Sequence, residues 1–182
     1  MPAFPKPYAD AVARLRVPSG FVLVTVFAWL SHPSGNSLLY GVPVSLAGLW
    51  LRGWAAGCLA KNQQLATSGP YAYTRNPLYL GTLLVAAGLA IAARNLGLAV
   101  LFAAVFLLVY LPVIQLEEQH LHQIFPDYSA YACQVPALWP RRTRARLAGS
   151  NRFGWRRYLR NQEYQAALGF AAGLAWLLWK RC

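Results

Sequence analysis

Apolar residues in this chain fall into five runs, at residues 17–30, 38–60, 78–93, 96–116 and 166–179, separated by short polar or proline-containing stretches. A helix rises about 1.5 Å per residue and a hydrocarbon core is about 30 Å thick, so a perpendicular span needs roughly 20 apolar residues. The second and fourth runs reach that length, and the other three are short spans. The predicted fold class is all-α, an integral membrane helical bundle of about five transmembrane helices.

The third and fourth runs are joined by Arg94-Asn95 alone, which predicts a tight helical hairpin. Small residues favour close pairing of its arms: Gly81, Ala86, Ala87, Gly88 and Ala90 on one, Gly97, Ala99, Ala103 and Ala104 on the other. Ahead of the hairpin, Asn76-Pro77 marks a helix start, because proline lacks an amide hydrogen and pushes the residue before it away from helical dihedrals. Gly69-Pro70 punctuates the chain in the same way. The stretch between them is predicted to be a short ordered loop.

Composition sharpens the class. Hydrophobic residues make up 57%, charged residues 12%, and the mean hydropathy is +0.34, too little charge to cover a water-soluble surface of this size. A length of 182 residues gives one domain, 1–182, and no separate soluble catalytic module. Any active site is therefore built from the helices and their connections.

The net charge of +12 is unevenly distributed. With five spans and a cytoplasmic N-terminus, the inner face collects Lys6, Arg14, Arg16, Lys61, Arg75 and the arginines between positions 141 and 160, and the outer face only Arg94, Lys180 and Arg181. An anionic leaflet attracts such a face. The arginine-rich stretch matches no recognisable nucleic-acid fold, so no nucleic-acid partner is expected. The first run resembles a signal peptide, but the following Ser31-His32-Pro33-Ser34-Gly35 lacks a small-x-small cleavage site. Cys58, Cys133 and Cys182 have neither metal spacing nor a disulfide pattern. The sequence does not specify an oligomeric state.

Candidate chemistry gathers at the foot of the hairpin. A chain that leaves the interface near Tyr79, turns at Arg94-Asn95 and returns delivers Glu117-Glu118 to the depth it left, beside Arg75. A guanidinium, two carboxylates and Tyr71, Tyr73 and Tyr79 at one level make a pocket for a ligand bearing both charges and an aromatic ring. The plainer alternative makes Arg75 an interfacial anchor and the tyrosines an aromatic belt. Two carboxylates ending a helix oppose its negative dipole end and call for a compensating cation, unless the helix runs on through Leu121, Ile124 and Tyr128. His120 and His122, two residues apart, face different sides of a helix, so no metal site is predicted. Arg52, inside the second run, is costly at mid-membrane and is either functional, facing the site, or near enough the interface to snorkel.

The segments Gly69-Pro70-Tyr71 and Arg75-Asn76-Pro77-Leu78-Tyr79-Leu80-Gly81, the hairpin, Glu117-Glu118 with Leu121, Phe125 with Tyr128 and Tyr131, and Val135-Pro136 before Pro140 follow one another in a distinctive order. In these motifs the chain resembles the isoprenylcysteine carboxyl methyltransferase and phospholipid methyltransferase superfamily of integral-membrane enzymes. The likeness covers about residues 65–140, leaving 141–182 as a basic linker and an extra C-terminal helix. It implies S-adenosylmethionine as cofactor, held in a cytoplasmic pocket by Tyr71, Tyr73, Arg75, Asn76, Tyr79, Gly81, Glu117 and Glu118. Arg75 is suited to the cofactor's carboxylate, a glutamate to its amino or ribose groups, and the tyrosines to its ring.

Two departures bear on the substrate. Asn76 stands where many relatives have histidine, so no titrating role falls to it. Val113 stands where prenylcysteine enzymes place an arginine, which argues against prenylcysteine carboxyl methylation. The expected reaction is methyl transfer to a lipophilic or membrane-embedded acceptor, a lipid head group or an isoprenoid or thiol-type small molecule, with Arg52 and Asn76 as positioning candidates. The alternatives are an NADPH-dependent reductase of sterol-like lipids, which shares the hairpin, and a non-catalytic membrane assembly or transport protein.

Overall fold

The computed structural model describes residues 4–61, 63–145 and 152–181; Arg146, Cys182 and the side chain of Arg16 lie outside the description. The described residues hold helices and no strand: α1 (Lys6–Leu30), α2 (Gly35–Cys58), α3 (Pro77–Ala93), α4 (Leu96–Val105), α5 (Leu111–Ile124), α6 (Tyr128–Gln134), α7 (Trp155–Arg160) and α8 (Tyr164–Arg181).

Local chemistry sets the helix ends. α2 starts on a capping box in which Ser34 Oγ accepts from the Ser37 amide at 3.2 Å and Ser37 Oγ accepts from the Ser34 amide at 2.9 Å. α3 starts at Pro77 and ends on Arg94 in the left-handed conformation, φ 52°. Asn95 then caps α4 through the Leu98 amide, 3.2 Å, while its Nδ2 donates to the Leu30 carbonyl at 2.8 Å. The predicted two-residue hairpin turn is thus present and tied to the end of α1.

α4 and α5 form one continuous helix, Leu96–Ile124, through a π-helical turn at Phe106–Tyr110. Pro112 causes the irregularity: it has no amide hydrogen for the Leu108 carbonyl four residues earlier. Tyr8 donates its hydroxyl to that carbonyl at 2.8 Å. Among the described helices, Leu96–Ile124 is long and apolar enough to cross a membrane, and α1, bent by 57° between Leu15 and Pro18, qualifies if its two parts count as one span. α3 is apolar but 17 residues long. The expected five spans do not follow from helix length and hydropathy alone.

The small residues pair α3 with a different partner from the one predicted. A methyl group on Gly48 would come within 2.7 Å of the Gly81 carbonyl oxygen, and one on Gly41 would meet the Gly88 carbonyl and Ala92. Ser45 donates to Val85 O at 3.1 Å, and Ser37 to Ala92 O at 2.9 Å. Gly81 and Gly88 therefore seat α3 against α2, whose Gly41, Ser45 and Gly48 recur at helical spacing on one face. Toward α4, Ala86, Ala87, Ala90, Ala99 and Ala103 instead border an apolar cleft of about 450 Å³. Small side chains permit close approach only where the facing helix is also small.

The C-terminal segment closes both ends of the bundle. At the foot of α2, Gly154 N and Arg157 Nε each donate to the Gly57 carbonyl at 2.9 Å, and Asn161 Nδ2 reaches Ala56 O at 2.8 Å and Leu59 O at 3.1 Å. These bonds satisfy carbonyls that a helix end leaves open. At the opposite end, Lys180 Nζ donates to Ala28 O and Trp29 O at 2.9 and 2.7 Å, capping α1. Arg94, Lys180 and Arg181 thus gather with the ends of α1 and α3, and Lys61, Arg75 and the α7 arginines lie at the foot of α2.

Candidate functional site

The loop before α3 is built around Gly69. Its φ of +58° favours glycine, and a methyl there would stand 2.7 Å from Cys58 Sγ and 3.2 Å from Trp54 Nε1. A 3-10 turn over Gly69–Ala72 follows and is held from α6, where the Tyr131 hydroxyl donates to Tyr71 O at 2.7 Å. The chain returning after α6 fastens the rest: Arg75 N donates to Pro136 O at 2.9 Å, Thr74 Oγ1 to Leu138 O at 3.0 Å, and Asn76 Nδ2 to Ala137 O at 2.9 Å.

Glu117 and Glu118 lie within α5, which runs on to Ile124, so the helix-end conflict does not arise. Adjacent residues on a helix point about 100° apart, and the two carboxylates diverge accordingly. Glu117 Oε1 accepts from the Tyr79 hydroxyl at 2.7 Å. Glu118 Oε1 lies 3.1 Å from Arg75 Nε and accepts from Asn76 Nδ2 at 3.1 Å, and its Oε2 accepts from Arg75 Nη2 at 3.3 Å. The Arg75–Glu118 pair is mostly buried, with side chains 15% and 16% exposed. Arg75 Nη1 donates to Ala132 O at 3.2 Å. The compensating cation expected beside the glutamates is Arg75, and its partner is Glu118.

These elements wall a cavity of about 470 Å³. Tyr71, Arg75, Asn76, Tyr79 and Glu117 line it, as does Arg52, whereas Tyr73, Gly81 and Glu118 stand outside the lining. Tyr73 contributes its carbonyl, which accepts from Arg141 N at 3.0 Å. Gly81 belongs to the α2–α3 contact, and Glu118 fixes Arg75 from behind. Leu121, Phe125, Tyr128 and Tyr131 complete the aromatic and apolar side of the cavity. Burial pushes the Tyr71, Tyr128 and Tyr131 phenols above the usual range, helped at Tyr71 by neighbouring Tyr131 and at Tyr128 by the Glu118 carboxylate, so all three stay neutral.

Arg52 does not stand free. Its guanidinium is bidentate on Glu163, through Nε to Oε1 and Nη2 to Oε2 at 3.1 Å, and Nη1 donates to Thr82 Oγ1 and to Leu78 O at 3.3 Å. Glu163 is 8% exposed and follows Gln162, which holds the left-handed conformation at φ 53°. Glu163, Thr82 and Asn161 line the cavity and escaped the sequence reading. One signal pointed to Glu163: an arginine in an apolar run needs a counter-ion, and with Glu117-Glu118 assigned, the chain's five acids leave Asp10, Asp127 and Glu163.

The chain matches the phospholipid methyltransferase family over residues 44–128, which takes in Arg52, the Gly69 loop, the hairpin and both glutamates. It is 38% identical over 114 residues to the cobalt-zinc-cadmium resistance protein CzcN of Cupriavidus metallidurans, covering 62% of this chain and 52% of that protein. It is 30% identical over 153 residues to the nickel-cobalt-cadmium resistance protein NccN of Alcaligenes xylosoxydans xylosoxydans, covering 76% of this chain and 71% of that one. The chain thus spans about half the length of the first of these relatives. No solved structure matches. Sequence and site together place this membrane chain in the phospholipid methyltransferase family.

Proposed function

We propose that this chain is a methyltransferase that binds S-adenosylmethionine in the cavity between the Gly69 loop and α5 and methylates a lipophilic or membrane-embedded acceptor. The observation that carries this reading is the meeting of Arg75, in the loop that enters the hairpin, and Glu117, on its returning helix, at the wall of one cavity.

The residues fit such a cofactor. A volume of about 470 Å³ lies within the roughly 300–1,000 Å³ of small-molecule sites, and the walls offer a carboxylate, a guanidinium and aromatic faces. Glu117, held by Tyr79, has acceptor capacity left for an ammonium or ribose hydroxyls. Arg75, oriented by Glu118 and Ala132 O, presents its remaining N–H donors to a carboxylate. Tyr71 and Phe125 give the cavity faces for a ring or a sulfonium. When bound, the cofactor supplies an electrophilic methyl carbon on sulfur. The chain's part is to align the acceptor with that carbon and to exclude water, which the apolar side formed by Leu121 and Phe125 favours. Arg52 and Asn76 are the positioning candidates on the acceptor side.

The membrane topology belongs to the same proposal. α1, α2, α3, the α4–α5 helix and α8 form a multi-pass bundle in which the short helices cross by virtue of their close packing. The cavity faces the cytoplasm, because the basic groups gathered at the foot of α2 outnumber those at the Arg94 end.

The names of the relatives favour a second reading, in which the chain is a non-catalytic membrane component of metal resistance. Calorimetry on the detergent-purified chain separates the two. The methyltransferase reading expects binding of S-adenosylmethionine and S-adenosylhomocysteine, weakened at least tenfold, about 1.4 kcal/mol, by Arg75→Ala. Binding of NADPH alone points to the reductase alternative, and binding of none of the three supports the assembly role.

A further inference from the structure

Beside the cavity, at the foot of α2, lies a second recess of about 860 Å³ whose polar wall is cationic. It is bordered by Lys61, Gln63, Gln64, Arg157, Arg160 and Asn161, and Lys61, Gln64 and Asn161, with Leu59 and Ala60, also line the cavity. Arg157 and Asn161 are partly engaged in capping α2 carbonyls. Lys61 and Arg160 are exposed and have no carboxylate partner among the described residues. Glu163, the carboxylate closest in sequence to Arg160, is committed to Arg52. Three cations therefore border one recess whose lining holds no carboxylate, an arrangement that favours an anion there.

Apolar side chains are exposed on and just before α7, the helix that carries two of these cations. Trp155 and Leu159 on α7 are 68% and 57% exposed, and Phe153 is 42% exposed. A short basic helix with exposed Trp and Leu has the make-up of a segment lying in the head-group layer of a bilayer, where aromatic rings and arginines are both favoured. A free phosphate would leave that apolar surface uncovered, whereas an anionic phospholipid would use both parts.

We propose that Lys61, Arg157 and Arg160 form a binding site for the phosphate of an anionic phospholipid head group, with Phe153, Trp155 and Leu159 against its glycerol and upper chains. The inference goes beyond the methyltransferase reading: Arg157 and Arg160 lie outside the family match, and the site does not depend on the bound lipid being the methyl acceptor. Its position at the rim of the cavity makes it a holding point for lipid beside the reaction.

Calorimetry on the detergent-purified full chain, titrating water-soluble dihexanoyl phosphatidylglycerol, dihexanoyl phosphatidylcholine and inorganic phosphate, tests this. The anionic lipid should bind at least tenfold more tightly than the zwitterionic one or phosphate, and more weakly as salt rises. Arg160→Gln, and separately Lys61→Gln, should each weaken it at least fivefold, while Arg156→Gln, an equal loss of charge outside the recess, leaves it within twofold. S-adenosylhomocysteine affinity should be unchanged in Arg160→Gln, so that failure here and failure of the methyltransferase reading remain distinct. Equal affinity for the two lipids, or equal effects of Arg156→Gln and Arg160→Gln, would overturn the site. Phosphate binding as tightly as the anionic lipid would overturn its assignment to a lipid. Arg157 is left unaltered because its bond to Gly57 O also holds α7 in place.

Discussion

Tyr79 donates its hydroxyl to Glu117 at 2.7 Å, joining the first turn of α3 to α5 across a hairpin whose turn lies at Arg94-Asn95. The bond fixes one carboxylate oxygen and leaves the other available to the cavity. It also supplies a graded test of the cofactor site. Glu117→Ala removes the carboxylate and should weaken S-adenosylhomocysteine binding at least tenfold, about 1.4 kcal/mol. Tyr79→Phe removes only the orienting bond, worth about 1 kcal/mol, and should weaken it several-fold. Calorimetry that finds Tyr79→Phe more damaging than Glu117→Ala would mean that the phenol, not the carboxylate, meets the ligand.

The α2–α3 interface leads to a stability prediction. Gly88→Ala places a methyl against Ser45 and the Gly41 backbone, where helix backbone cannot yield cheaply. Overpacking of this kind costs typically about 1–3 kcal/mol. Gly169→Ala on α8, where an added methyl meets nothing within 4 Å, should instead be neutral or stabilising by up to about 1 kcal/mol, the helix-propensity gain. Thermal unfolding in detergent should show Gly88→Ala lowering the midpoint and Gly169→Ala leaving it unchanged or raising it, and a Gly88→Ala variant as stable as the parent would show that α2 and α3 are not in tight contact.

Those glycines mark the boundary of what the sequence made legible. Because burial in lipid or in a bundle requires the same composition, runs of apolar residues located α2, α3 and α8 to within a few residues, and the start of α4 but not the end of the helix it begins, which runs on to Ile124. They missed the first turns of α1, whose residues from Lys6 to Arg16 are mixed, and the capping box that starts α2 at Ser34. The hairpin and the Arg75–Glu117 neighbourhood were readable because a two-residue turn fixes the return path. The partner of α3 was not, although Gly41 and Gly48 share with Gly81 and Gly88 a seven-residue spacing that marks two matching faces. Glu163 left no local pattern at all: it meets Arg52 across 111 residues, and only the demand of a buried cation for a countercharge pointed to it.

The buried tyrosines set an alkaline limit. Tyr71, Tyr128 and Tyr131 have phenols raised above the ordinary value in the fold, chiefly by burial, while an unfolded tyrosine ionises near pH 10. A raised folded value means that their contribution is fully present below about pH 10 and is lost as pH rises beyond it, when the unfolded chain gains by ionising. Unfolding midpoints should therefore be insensitive to these groups at neutral pH and fall above about pH 10. In an ultraviolet titration, the exposed phenols should ionise first and the buried ones together with loss of helix. Smooth ionisation of all ten tyrosines without unfolding would contradict the packing around α6.

Arg52 and Glu163 offer the means to separate architecture from chemistry. Breaking a buried pair by removing one partner costs about 3–5 kcal/mol, because the other charge is left without compensation. Glu163→Leu should therefore destabilise strongly, and Arg52→Leu similarly, since it strands the Glu163 carboxylate at 8% exposure. The double variant should cost much less than the sum, because replacing a buried pair by apolar groups is often close to neutral. A double-mutant cycle on thermal stability measures that coupling, and additive effects would show that the pair is not formed. Methyl transfer then gives a second reading on the same proteins. If Arg52 positions the acceptor, the double variant regains stability and S-adenosylhomocysteine binding but not turnover, with the loss in kcat rather than in cofactor affinity. Turnover restored along with stability would make the pair a pin between α2 and the start of α8, and would move acceptor positioning to Asn76.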